Sequence, residues 1–139
     1  MQRVSAVPVL AAVAAIFFLI CLPGCGGGGA SASSIVTQLI LTPTAVSLNQ
    51  GGVATLSAIA ENSAGTAVAA DITFSSSNTN IATVSAGGLI CGGVWDANII
   101  NCNATLGQAG VGQVTITATA TASGVTATAT VYVLSLIHI

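Results

Sequence analysis

The sequence predicts an all-β sandwich of about seven short strands, and three observations predict it. From Ile35 onward the dominant pattern has period two, with apolar and hydroxyl side chains alternating. Turn residues interrupt that pattern at Pro43, Asn49-Gln50-Gly51-Gly52, Glu61 to Thr66, Ser77 to Asn80, Gly87-Gly88 and Ser123-Gly124. No stretch of this region carries a convincing helical spacing of apolar residues. Many short strands with frequent turns have to bury one face each, and two packed sheets are the usual solution. A solenoid would show a fixed short repeat, and none recurs.

Ahead of the strands, residues 1–24 have three successive parts. Met1-Gln2-Arg3-Val4-Ser5 carries one positive charge, Ala6 to Leu22 is apolar, and Pro23-Gly24 follow. That order predicts a secretory signal peptide. A membrane-spanning helix is the competing reading, but Pro23, Gly24 and the glycines 26–29 break a helix at once, and no charged stop-transfer cluster follows.

Leu22-Pro23-Gly24-Cys25 resembles the lipobox of bacterial lipoproteins, with Pro23 in place of the usual small residue. The resemblance implies that Cys25 receives a diacylglyceryl thioether and becomes the N-terminus after cleavage, so that lipid on Cys25 attaches the protein to a membrane. Two or more acyl chains hold a protein stably, whereas one binds only marginally. Ala30-Ser31-Ala32, an ordinary signal-peptidase pattern, is the rival cleavage site. Residues 25–34 then form a flexible tether, because Gly, Ala and Ser alone cannot bury enough surface to offset the entropy of ordering. The nine residues 26–34 reach about 15–18 Å.

The strands follow in order. Val36 to Leu41 forms the first and stops at Pro43, and Ala45 to Leu48 forms a brief edge piece. A second full strand carries Ala54, Leu56, Ala58 and Ala60 on one face. Ile72 to Ser76 contains Phe74, Ile81 to Val84 is short, and Gly87-Gly88 leads into Leu89-Ile90-Cys91. The clearest pair comes last. Val114, Ile116, Ala118 and Ala120 face inward from one strand, and Val125, Ala127, Ala129, Val131 and Val133 from the next, with threonines between them. A two-residue loop at Ser123-Gly124 would set Ala120 against Ala127, Ala118 against Ala129, Ile116 against Val131 and Val114 against Val133.

These strands carry a text that resembles the group 2 bacterial immunoglobulin-like domain. Its pieces are Leu41-Thr42-Pro43-Thr44-Ala45-Val46-Ser47-Leu48, Gly51-Gly52, Thr55-Leu56-Ser57-Ala58, Phe74-Ser75-Ser76-Ser77-Asn78, Ile81-Ala82-Thr83-Val84-Ser85, Gly88-Leu89-Ile90, and Gly110-Val111-Gly112 before Val114 to Ala118. The resemblance covers residues 35–133 and implies an immunoglobulin-like Greek-key β-sandwich. It further implies surface display, adhesion or spacing within exported proteins, and it carries over no catalytic residues. Phe74 stands where many members place tryptophan.

The segment Cys91 to Cys102 is longer than the family's usual link. With Cys25 lipidated and Cys21 removed with the leader, Cys91 and Cys102 remain, and an oxidising compartment predicts that they pair. The alternative, a metal site, has too few ligands. Closing this loop is worth about 3 kcal/mol in the chain-entropy picture. The loop holds Trp95 and Asp96, the candidate binding residues. An exposed Trp95 could anchor a partner or stack on a sugar, while the plainer expectation has it folded back over the end of the sandwich. Asp96, Asn98 and Asn101 suggest a calcium loop only superficially, because the turn glycine and terminal Glu are missing. No metal and no cofactor is expected.

Charge excludes further classes. Of 139 residues only 3% are charged, there is no lysine, and the single arginine is Arg3. A nucleic-acid binder needs a basic patch to displace phosphate counterions, so nucleic acid is not an expected partner. Glu61, Asp71 and Asp96 are dispersed, and the sole His138 lies in the tail, so neither a carboxylate pair nor an activated nucleophile can be assembled and no enzyme is expected. After Val133 the alternation stops. Residues 134–139, Leu-Ser-Leu-Ile-His-Ile, resemble the translation of a transposon-type sequencing adapter, which predicts that the natural chain continues, with further immunoglobulin-like domains. The functional expectation is a lipid-anchored cell-envelope protein, facing the periplasm or cell surface, whose module serves as spacer or adhesion domain for a protein or glycan ligand. The alternative is a carbohydrate-binding or accessory module of a larger exported enzyme.

Overall fold

The computed structural model of the chain describes residues 34–105 and 110–135. The expected leader, the lipidated Cys25, the tether up to residue 33 and residues 136–139 lie outside the described residues. Eleven strands are formed: β1 (Gln38–Thr42), β2 (Ala45–Asn49), β3 (Val53–Thr55), β4 (Ser57–Glu61), β5 (Ile72–Ser76), β6 (Thr83–Val84), β7 (Leu89–Cys91), β8 (Val94–Trp95), β9 (Cys102–Asn103), β10 (Gly112–Ala120) and β11 (Thr126–Leu134). One sheet has the order β2-β11-β10-β5. The opposing layer contains β1-β4 and β3-β7-β6, and β8-β9 forms a separate small ribbon.

The expected second strand is interrupted at Leu56. Its first part, β3, pairs with β7, and its second part, β4, pairs with β1. Leu56 itself donates its N–H to the Gly88 carbonyl at 2.8 Å and is 2% exposed. The inward face runs through the break unchanged: Ala54 and Ala58 are half-buried and Ala60 is buried, as the alternation predicts. The count exceeds the eight pieces read from the sequence because this break adds one strand and the Cys91–Cys102 segment adds two, β8 and β9. Glu61, expected in a loop, is the last residue of β4, where it is bridged by Ala67. Ile81 and Ala82 lie outside β6, held by hydrogen bonds from their N–H groups to the Asn78 carbonyl.

The chain crosses between layers after β1, at the cis peptide bond Thr42–Pro43, and β2 then lies parallel to β11, pairing Ala45 with Thr130 through Asn49 with Leu134. The edge position of β2 agrees with the sequence. Its partner was not legible, because parallel pairing across such a long separation leaves no local signal. Later crossings take β4 to β5, β5 to β6 and β7 to β10, so that β10 returns between β5 and β11. That is the immunoglobulin-like sandwich.

The hairpin of β10 and β11 forms with both faces as expected but in a different register. Ala118 stands opposite Ala127, Ile116 opposite Ala129, Val114 opposite Val131 and Gly112 opposite Val133. The shift is two residues, which preserves every face, so alternation alone could not exclude it. The turn decides. A two-residue loop would need a positive φ at Ser123. Instead Ala120 and Val125 close the ladder, with the Ala120 N–H donating to the Val125 carbonyl at 2.9 Å, and the left-handed conformation falls on Gly124, φ 73°. β11 also runs one residue beyond the apolar alternation, through Leu134, because backbone pairing with Asn49 makes no demand on the side chain.

Between the layers lie Leu39 and Leu41 of β1, Leu48, Leu56, Ile90, and the inward residues of β10 and β11. Large fully buried side chains such as Leu56, Ile90, Ile116, Val114, Val131 and Val133 dominate its energetics, each worth roughly 1.5–3 kcal/mol on burial. Ala82, Ala118, Ala120 and Ala129 fill the rest and contribute less. Phe74 occupies the expected strand opposite Ala118 but is half-buried, packed against the core from its margin. The buried polar groups are paired: Gln50 Nε2 donates to the distant Thr105 carbonyl, and the other two are bonded locally. Asn62 Oδ1 accepts from the N–H groups of Ala64 and Thr66, both at 3.0 Å, and Ser85 Oγ accepts from the Leu89 N–H at 3.1 Å.

Candidate functional site

The segment from Cys91 to Cys102 is positioned by both of its ends. Cys91 closes β7 and is fully buried; Cys102 opens β9, and the two are joined by a disulfide with Cα atoms 5.4 Å apart. Gly92 is tied to the β2–β3 turn, donating to the Gly52 carbonyl at 2.8 Å and accepting from the Gly51 N–H at 2.7 Å. A side chain at Gly93, φ 152°, would collide with the Asn103 carbonyl, so only glycine permits the close approach of β8 to β9. The pairing of Val94 with Asn103 and Trp95 with Cys102 then lifts the segment off the sandwich as a short ribbon.

Asp96 organises the tip. Its Oδ1 accepts from the Ile100 N–H and its Oδ2 from the Asn101 side-chain amide, each at 2.8 Å, while its own N–H donates to the Asn101 carbonyl and its carbonyl accepts from the Ile99 N–H, both at 3.0 Å. The Ile100 N–H is the main reason its carboxyl is held below the ordinary value of 3.8; burial opposes the shift, and the Asn101 side chain adds to it. Both carboxylate oxygens are engaged inside the loop. Its chemistry at this site is that of a staple.

Trp95 is half-buried, with Nε1 shielded from solvent and without a hydrogen-bond partner among the described residues. It lies outside the main core. The side chains that face solvent from this ribbon are others: Val94, Ile99 and Ile100 are 47%, 46% and 73% exposed. Sequence reasoning passed over Ile99 and Ile100 because two apolar residues in a loop carry no chemical motif. Ile99 is also the one non-glycine residue with positive φ among the described residues, at 56°, a conformation that a β-branched side chain adopts only under constraint. The disulfide and the Asp96 staple supply that constraint.

The acids do not converge. Glu61 ends β4, Asp71 precedes β5 and Asp96 sits in the ribbon. Among the described residues no group of three or more His, Cys, Asp or Glu is placed to hold a metal ion.

Comparison with known proteins bears on the fold. Residues 35–131 match the family model described as bacterial Ig-like domain (group 2). Among solved structures, domains 1–6 of the surface layer protein SbsC superpose with a TM-score of 0.54 at 19% identity, covering 73% of this chain and 13% of that one. Domains 5–6 of the same S-layer protein give 0.53 at 19% identity, with 72% and 44% covered. Domains 4–9 give 0.54 at 20% identity, with 73% and 14% covered. This chain therefore spans less than half the length of each of these three structures, at identities that speak for shared fold alone. No curated protein matches it.

Proposed function

The chain belongs to the bacterial Ig-like domain (group 2) family, and from that premise we propose that it is a lipid-anchored protein of the cell envelope whose module works as a non-catalytic spacer or interaction domain. The observation that carries this reading is the Cys91–Cys102 disulfide, which joins the only two cysteines of the domain. Structural disulfides form in exported proteins and are rare in reducing cytosol. A leader of residues 1–24, followed by Cys25 in the lipobox-like run Leu22-Pro23-Gly24-Cys25, accounts for the export and supplies the anchor. Likeness to S-layer domains fits a place at the cell surface, where modules of this fold are strung together.

Mass spectrometry of the protein from the membrane fraction tests the anchor. The expected N-terminal peptide begins at Cys25 and carries diacylglyceryl; an unmodified N-terminus at Ser33 rejects lipidation. The carbohydrate-binding alternative depends on Trp95 as a stacking surface, and its half-buried ring with shielded Nε1 disfavours that role. Undiminished binding of the Trp95→Ala chain to a glycan panel would retire it.

A further inference from the structure

The turn between β2 and β3 is held from two sides. Toward the four-stranded sheet, Asn49 pairs with Leu134, and Gln50 donates its N–H to the Leu134 carbonyl at 3.0 Å, where β11 ends. Toward the ribbon, the Gly51 N–H donates to the Gly92 carbonyl at 2.7 Å, and the Gly52 carbonyl accepts from the Gly92 N–H at 2.8 Å. The Gln50 side chain adds a further tie, from Nε2 to the Thr105 carbonyl at 2.6 Å. Packing leaves this turn no slack: a Cβ at Gly92 would meet the Asn49 carbonyl oxygen at 2.7 Å and Val133 Cγ1 at 3.4 Å.

The disulfide sits at the root of both ribbon arms that grip the turn. Gly92 directly follows Cys91, and Thr105 lies just past Cys102 on the other arm. Apart from the bridge, the arms are paired only through Val94 with Asn103 and Trp95 with Cys102. So short a two-stranded ribbon is marginal in water by itself, so the bridge keeps the arms at the spacing the turn requires. Beyond the turn the coupling runs directly into the sheet. β2 lies at the sheet edge with β11 as its one neighbour there, so a turn released by the ribbon frees the Asn49–Leu134 end of that pairing first.

We propose that the Cys91–Cys102 bridge is a redox-sensitive brace on the C-terminal end of β11, holding it through residues 49–52 when oxidised and letting it fray when reduced. The reductant is an external dithiol. Its thiolate attacks the sulfur of Cys102, which is half-buried, and expels the thiolate of the fully buried Cys91, which takes up a proton. The second thiol of the reductant then attacks the mixed disulfide, closing the reductant to its own disulfide and leaving Cys102 as a thiol. Two electrons and two protons pass to the domain in all. The inference stands on the bridge and the turn, and it holds whether or not Cys25 carries lipid.

Residue-by-residue amide exchange of the full chain in detergent, followed by NMR before and after treatment with dithiothreitol, tests the brace. Exchange at Gln50, Gly51 and Gly92 should accelerate at least about tenfold on reduction. Gly65 and Gly124, in the turns at the opposite ends of β4 and β11, should keep their rates, because their bonds to Asn62 and Ala120 are local. Cys91→Ala with Cys102→Ala should show the fast pattern without reductant and no response to it. Unchanged exchange at Gln50 and Gly51 in a chain shown by mass to be reduced overturns the brace. Acceleration shared equally by Gly65 and Gly124, or unfolding of the reduced chain, overturns it as well, since the bridge then supports the whole fold. None of these outcomes touches the anchor, which the N-terminal peptide decides separately.

Discussion

Thr117 stands directly across the strand pair from Thr128, at a position where β10 and β11 exchange no backbone hydrogen bonds. The closing pair Ala120–Val125 is hydrogen-bonded, so bonded pairs fall on the inward residues, and the outward threonines oppose each other where Cα atoms are about 4.5 Å apart. That spacing lies within the range a disulfide bridges. Cysteines at Thr117→Cys and Thr128→Cys will therefore cross-link under mild oxidation, detected as a mass loss of two hydrogens. The pair Thr117→Cys with Thr130→Cys, opposed only in a two-residue-loop register, will stay reduced.

Removing the native cross-link together, as Cys91→Ala with Cys102→Ala, will cost about 3 kcal/mol, the loop-closure term for a sequence separation of 11. Urea unfolding should show a lower midpoint for this variant, and adding reductant to the parent should bring its midpoint down by a similar amount. A parent indifferent to reductant would mean that the ribbon is held without its bridge.

Two glycines with similar backbones should respond differently to alanine. Gly65 has φ 72° with open space around it, and Gly65→Ala will cost only the left-handed penalty, about 1–2 kcal/mol. Gly88 has φ 81°, but a Cβ there meets the Leu56 carbonyl oxygen and lies 3.2 Å from Phe74 Cζ. Gly88→Ala will add a steric cost, about 2 kcal/mol or more beyond the first. Denaturation midpoints of the two variants check the ordering.

Ile99 is the reverse case. Replacing it with asparagine relieves a β-branched side chain held at φ 56° and should raise stability by about 1 kcal/mol. Ile100→Ser, at a position 73% exposed, should move the midpoint by less than about 0.5 kcal/mol. A destabilised Ile99→Asn chain would show that this side chain makes contacts worth more than its strain.

The Asp96 staple predicts a pH dependence confined to the ribbon. Its carboxyl is held below its ordinary value of 3.8 in the folded chain, so the order it confers is complete above that value and is lost as pH falls through the depressed one. Amide exchange at Ile100, corrected for intrinsic rate, should accelerate across that acidic window in the parent. Asp96→Asn, which keeps an acceptor but no charge, should show faster exchange at neutral pH and no acid step.

What could be read in advance follows the range of the physical signal. Threonine and apolar residues alternate cleanly along 112–120 and 126–134 because one face of each strand is buried, so both strands and their faces were plain. Register was legible only modulo two residues, since a shift of two leaves Val114 and Val131 in the core. The pairing of Cys91 with Cys102 followed from counting cysteines. The break at Leu56 was not legible, because the alternation runs straight through it and only the Gly88 carbonyl, far along the chain, captures the Leu56 N–H. Trp95 and Asp96 were singled out for their chemistry. The fold uses Asp96 to hold its own loop and leaves Ile99 and Ile100 outside, an outcome set by hydrogen bonds within the ribbon.

The parallel alignment of β2 and β11 also determines how the domain carries a mechanical load. A pull that enters β2 from its N-terminal side and leaves β11 from its C-terminal side slides the two strands past each other along their common axis. All five paired positions from Ala45–Thr130 to Asn49–Leu134 then bear the force together. Antiparallel strands pulled from one end would open pair by pair, each bond failing alone. A domain pulled in this way is loaded in shear.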